Sequence, residues 1–244
     1  MLRRSLYILF FVAFSFFIRA GEGPLHKKSG NGTRVHFGGS YGFYQVNTHH
    51  AKYNHSLPGF TIGVRREFHI DRQFKTYFGF GLDYFLHGLS YNSYYFNPDS
   101  VKIYDNSRMY YNYNLYIQEL HLPLQMKFLF KQANNSLFSP YISLEYHLRY
   151  MLPGNLNIEY QGKSVKRDVP DLLFRNSTFG DKMSSFVSLG LGWQKNNLAS
   201  SKHNFFIEIN FRYGFADYYF QTPYSAGSMY TNGMNACVII GFKI

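Results

Sequence analysis

Cysteine, tryptophan, acid and long apolar runs are all scarce in this chain. A single cysteine, Cys237, excludes an internal disulfide framework and any zinc site built on several thiolates. One Trp stands beside 26 Phe and 23 Tyr in 244 residues, an aromatic content of 20% that excludes disorder and points to β-structure. Charged residues are only 16% of the chain, with 14 Asp and Glu against 25 Lys and Arg and a formal net charge of +11. The dispersed bases form no motif or stripe, which argues against nucleic-acid recognition. After residue 18 no run approaches the roughly 18 apolar residues of a membrane helix. If the remaining chain crosses a membrane, it crosses with strands.

The first residues are set apart. Arg3 and Arg4 precede a mostly apolar stretch at 6–18, followed by the small residues Ala20 and Gly21. This is the plan of a secretory signal peptide; the stretch falls short of the roughly 20 residues of an uncleaved anchor. Cutting after Ala20 removes Arg3, Arg4 and Arg19 and no acid, so the net charge falls by three from +11 to +8.

Beyond the leader, the dominant pattern has period two. From Pro140 to Leu152, Ile142, Leu144, Tyr146, Leu148 and Tyr150 share one face, and Ser143, Glu145, His147 and Arg149 the other. The stretch from Tyr116 to Lys131 sets Leu120, Leu122, Leu124, Met126 and Phe128 against Glu119, His121, Pro123, Gln125 and Lys127, and Phe205 to Phe215 opposes Ile207, Ile209 and Phe211 to Glu208, Asn210 and Arg212. Weaker copies begin near Val35, Phe60, Phe78, Val187 and Ala236. Alternation over about ten residues between turn signals is the mark of a barrel strand, and eight are expected.

Alternation alone also fits a secreted β-sandwich or a lipocalin-like barrel, whose strands turn the apolar face inward. The polar face separates the two. It carries Arg65, Lys127, Arg149, Arg212 and Lys243 against Glu67, Asp83, Glu119, Glu145 and Glu208, five bases and five acids. Such a balanced set suits a narrow, desolvated interior in which each charge finds a partner. Connections also alternate: 70–74, 132–139 and 195–204 are short, whereas 46–56, 91–112, 153–183 and 217–232 are longer. Outer-membrane barrels are built this way, with short periplasmic turns and longer extracellular loops. The expected fold is all-β, an eight-stranded antiparallel transmembrane barrel, integral to the outer membrane. Residues 1–20 are the signal peptide, 21–32 an N-terminal periplasmic segment and 33–244 the barrel. Folding 116–152 about 132–139 sets Lys127 roughly opposite Glu145, and Glu208 shares a face with Arg212.

The strand Leu120-His121-Leu122-Pro123-Leu124-Gln125-Met126-Lys127-Phe128, followed by Ser139-Pro140-Tyr141-Ile142, resembles the outer-membrane β-barrel family that includes PorT. The resemblance covers most of the mature chain as pattern and departs from the family at His121 and Glu145. It implies an integral outer-membrane protein of a Gram-negative cell and, by analogy with PorT, a connection to type IX protein secretion.

Candidate chemistry is sparse. Gly79-x-Gly81 and Gly190-x-Gly192 lack the rest of a phosphate-binding fingerprint, and they suit inward positions that make room for large neighbours. His49, His50 and His55 cluster in the first long connection without a metal-ligand motif. His87, Ser90 and His147 show no spacing that selects a catalytic pair. No cofactor is expected. Tyrosines crowd the second and fourth long connections, where Tyr94, Tyr95, Tyr110, Tyr111, Tyr218 and Tyr219 offer a partner-binding surface; equally, strands running beyond the membrane would pair their own tyrosines. Lys163, Lys166 and Arg167 suit lipopolysaccharide phosphates. The reading is a non-enzymatic scaffold or interaction component whose partners are outer-membrane lipid, lipopolysaccharide and secretion-machinery proteins. A lipid-modifying enzyme, a small channel and an adhesin are the alternatives.

Overall fold

The computed structural model describes residues 32–43, 54–71, 75–94, 110–130, 138–160, 163–169, 172–175, 177–195, 204–221, 228–231 and 234–244. The expected signal peptide, residues 21–31 of the N-terminal segment, His49, His50 and Tyr95 lie outside them. The strands are β1 (Gly32–Phe43), β2 (Asn54–Asp71), β3 (Thr76–Tyr94), β4 (Tyr110–Leu129), β5 (Phe138–Tyr160), β6 (Lys163–Val169), β7 (Leu173–Arg175), β8 (Met183–Lys195), β9 (Asn204–Gly214), β10 (Asp217–Gln221), β11 (Ser228–Thr231) and β12 (Met234–Lys243).

Eight of them close a barrel. The sheet runs β4-β3-β2-β1-β12-β9-β8-β5, and β5 pairs back to β4. Every pairing around the ring is antiparallel, and β1 meets β12 from Arg34↔Lys243 to Phe43↔Met234. Closure leaves no free edge around the ring, as a wall in hydrocarbon requires. β6 continues β5 outside the ring, and β11-β10-β7 form a separate three-stranded sheet.

The period-two pattern resolves onto the two faces as the sequence predicts. Leu122, Leu144, Phe211 and Val238 are 48–52% exposed, whereas Arg65, Glu67, Glu145 and Glu208 are 0–3% exposed. A soluble sandwich would reverse this. The expected strand limits differ at the long-connection end. β3 runs on to Tyr94, β4 starts at Tyr110 and β5 reaches Tyr160, so both ends of 91–112 and much of 153–183 are strand rather than loop. Two registers carry the extension, Tyr94↔Tyr110 through Ser90↔Asn114 and Asn112↔Glu159 through Tyr116↔Asn155.

Polarity inverts along this extension. Outside, the row becomes polar: Asn92, Asn112, Asn114, Asn155 and Asn157 replace the aliphatic residues, and Glu159 accepts hydrogen bonds from Asn114 Nδ2 (3.4 Å) and Asn157 Nδ2 (2.9 Å). Inside, Leu89, Tyr91, Tyr113, Leu115, Ile117, Met151 and Leu156 pack with Leu172, Phe174, Ala216 and Tyr218 into one buried cluster. Tyr91 and Tyr113 stack with centroids 5.0 Å apart and planes at 4°. Burial, together with the neighbouring Tyr113, pushes the Tyr91 phenol well above its ordinary range. The change comes beside an irregularity in the β4–β5 register, between Tyr116 and Gln118 opposite Asn155 and Leu152, where Pro153 and Gly154 absorb the offset. Within the membrane the barrel is apolar outside and charged inside; beyond it, the same strands follow the rule of a soluble protein.

Candidate functional site

The lumen is filled by side chains in three tiers, as an eight-stranded ring allows. Nearest the short connections, Glu67 accepts from Arg34 Nη1 at 2.9 Å and Lys127 Nζ at 2.5 Å, with Lys243 Nζ at 3.2 Å. Lys127 also donates to Gln194 Oε1 at 3.2 Å. Three cations from β1, β4 and β12 therefore converge on one carboxylate of β2.

In the middle tier Arg65 bridges two acids, reaching Asp83 at 2.7 Å and Glu145 at 2.5 Å. Gln125 Nε2 donates to Glu145 Oε1 at 2.6 Å. Arg34 Nη2 donates to the Tyr141 hydroxyl at 3.0 Å, which in turn donates to Glu208 Oε2 at 2.8 Å. The third tier centres on Glu119, with His121 Nε2 at 2.7 Å, Arg149 Nη1 at 3.6 Å and His87 Nε2 at 3.8 Å. Arg149 donates to the Tyr218 hydroxyl at 2.6 Å and to the Ala216 carbonyl at 3.0 Å, which ties this tier to the apolar cluster above it.

All ten charged residues expected to face inward are buried. Their pairing differs from the expectation in two places. Lys127 does not meet Glu145: the register sets Lys127 opposite Ser143 and Gln125 opposite Glu145, and Lys127 reaches across to Glu67 instead. In a filled ring a long side chain bonds to whichever strand lies in front of it, so adjacency on paired strands does not decide the partner. Glu208 and Arg212 are not in direct contact either; Asn210 stands between them, accepting from Arg212 Nε at 3.2 Å and donating to Glu208 Oε1 at 3.1 Å.

Two participants escaped the sequence reading, Arg34 and Tyr141, whereas His36 and Asn210 hold the inward face it gave them. Arg34 and His36 share the inward face of β1, so carrying the alternation one pair of residues further toward the start would have found Arg34. The tyrosines require a correction. Tyr218 is buried, not displayed to a partner, because the backbone alternation of β10 turns it into the apolar cluster. Tyr94 and Tyr110 are directly paired strand residues, Tyr111 pairs with Ser93, and Tyr219, half-buried, pairs with Leu173 and Tyr230. His55 lies exposed on β2. Among the described residues, no three His, Cys, Asp or Glu side chains are grouped to hold a metal.

The inward glycines are recesses for this network. A Cβ on Gly63 would overlap the Asp83 carboxylate, and one on Gly192 would overlap the Tyr141 ring and stand 2.8 Å from the Ile207 carbonyl. Gly192→Val is expected to displace Tyr141 from its bridge between Arg34 and Glu208 and to cost about 1–3 kcal/mol, as overpacking does. The midpoint of urea unfolding in detergent measures it, and an unchanged midpoint would count against a close-packed lumen.

No protein-family model matches the chain, and no curated protein matches it. Among solved structures it is similar to the outer membrane protein OprG from Pseudomonas aeruginosa, with a TM-score of 0.54 at 12% identity over 89% of this chain and 97% of that one. Neisserial surface protein A aligns with a TM-score of 0.40 at 11% identity, covering 88% of this chain and 100% of that chain. The Ail protein of Yersinia pestis aligns with a TM-score of 0.34 at 14% identity, covering 88% and 99%. The likeness to OprG shows the fold, that of an integral outer-membrane β-barrel.

Proposed function

We propose that this integral outer-membrane barrel is a non-enzymatic scaffold or interaction component, and that its pathway is protein secretion of the PorT-like, type IX kind. The observation that carries the first part is the closed interior. Charged tiers occupy the lumen, and the apolar cluster around Leu115 and Tyr218 stops its long-connection end, so the fold offers a surface rather than a path. The strand extension supplies that surface. Its outward row of Asn92, Asn112, Asn114, Asn155 and Asn157 is polar, and Tyr94, Tyr110 and Tyr111 stand at its strand ends, with Tyr219 on the neighbouring small sheet. Tyrosine provides rigid contact area at low entropic cost. Lipopolysaccharide is the second partner, met by β6, whose exposed Lys166 pairs with Asn157 of the outward row. The PorT part rests on the strand from Leu120 to Phe128.

Chemical cross-linking in intact cells, followed by purification of the barrel in detergent, tests the proposal. The expected result is recovery with other secretion-machinery proteins and no unitary conductance in planar bilayers. A barrel that purifies alone and opens discrete conductance steps would overturn the scaffold reading in favour of a channel. Stable partners unrelated to secretion would keep the scaffold and remove the pathway.

A further inference from the structure

Among the described residues, one lumen cation has no carboxylate within ion-pair distance. The buried set comprises Arg34, Arg65, Lys127, Arg149, Arg212 and Lys243 against Glu67, Asp83, Glu119, Glu145 and Glu208. Five of these cations have a carboxylate oxygen within 3.6 Å. Arg212 is the sixth. Its Nε donates to Asn210, but Nη1 and Nη2 are buried with no acceptor among the described residues, although the residue is only 4% exposed. The faces of Phe85 and Phe186 lie 4.6 and 5.7 Å from its Cζ. Ring faces attract a cation, yet they accept no hydrogen bond in the guanidinium plane. Arginine cannot shed the charge by losing a proton. His121 and His147 pack on the same Phe186 ring, centroids 5.0 and 4.1 Å away, and their Nδ1 atoms are likewise buried without a partner. The unpartnered atoms of Arg212, His121 and His147 thus belong to side chains that share the Phe186 ring.

We propose that Arg212, between Phe85 and Phe186, is the binding site of one small inorganic anion of the halide class, held by Nη1 and Nη2. A water molecule would accept the two hydrogen bonds but leave the surplus positive charge inside a wall surrounded by hydrocarbon; an anion answers both requirements. The site lies beside the third tier, near the apolar cluster, so the ion enters as the barrel folds and is retained by the packed side chains.

The test uses the full barrel refolded into detergent with sodium bromide as the probe. Anomalous diffraction is expected to place one bromide within hydrogen-bonding distance of the Arg212 Nη atoms. At constant ionic strength, replacing gluconate by bromide raises the unfolding midpoint of the wild type by roughly 3–5 °C per tenfold increase above the dissociation constant, and leaves Arg212→Gln unmoved. Water alone at the Nη atoms, a wild-type midpoint indifferent to bromide, or an equal rise in Arg212→Gln would each overturn the proposal. If the variant does not fold, the diffraction and the wild-type titration decide the matter.

Discussion

Leu144→Arg is expected to lower the free energy of folding into lipid vesicles by about 2–4 kcal/mol, the penalty for a cation on the lipid face near the bilayer midplane. Leu144 is 52% exposed and lies midway along the apolar part of β5, between Phe138 and Tyr150. The same substitution at Asn155, on the outward polar row of the same strand, is expected to stay within about 0.5 kcal/mol. Urea titration of tryptophan fluorescence reads both, since Trp193 is the one tryptophan and sits exposed on β8. Equal, small effects at both positions would mean that the apolar surface meets something other than hydrocarbon.

Glu67→Gln carries the second large effect. Arg34, Lys127 and Lys243 all converge on this carboxylate. Its loss leaves buried positive charges facing one another, which costs about 3–5 kcal/mol. Adding Lys127→Met removes one of those charges, and the double variant is expected to recover part of the loss, with a coupling of about 0.5–3 kcal/mol. Heat-dependent electrophoretic mobility of the folded barrel gives a direct readout. A fully stable single variant would show that the tier is hydrated and its charges independent.

Facing was legible in the sequence because a strand permits only two directions: once Leu144 faces lipid, Glu145 and Arg149 must face the lumen. The eight-membered ring followed from counting such stretches. Pairing inside the lumen was less accessible. The partner of Lys127 depends on how far strands are staggered around the cylinder, and β2 supplies Glu67 from a strand more than fifty residues away in the chain. The apolar cluster escaped for a different reason. Leu89, Tyr91, Tyr113, Leu115 and Ile117 keep the inward parity of Asp83 and Glu119, but a search for apolar residues facing out treats apolar residues facing in as the end of a strand. Tyr218 was misplaced by the same assumption. Arg34 is hard to read because it directly precedes Val35, the first apolar residue of the weak alternation in β1.

The reversal along β3, β4 and β5 also sets the molecule's draught. Sinking the barrel by two residues, about 6.6 Å of strand, would drown the asparagine row at 112 and 114 in acyl chains; raising it equally would lift Leu120 and Tyr150 into water. Each displacement is opposed from its own side, so the protein floats at one height. Whatever docks on the projecting tip meets it at a constant distance above the lipid.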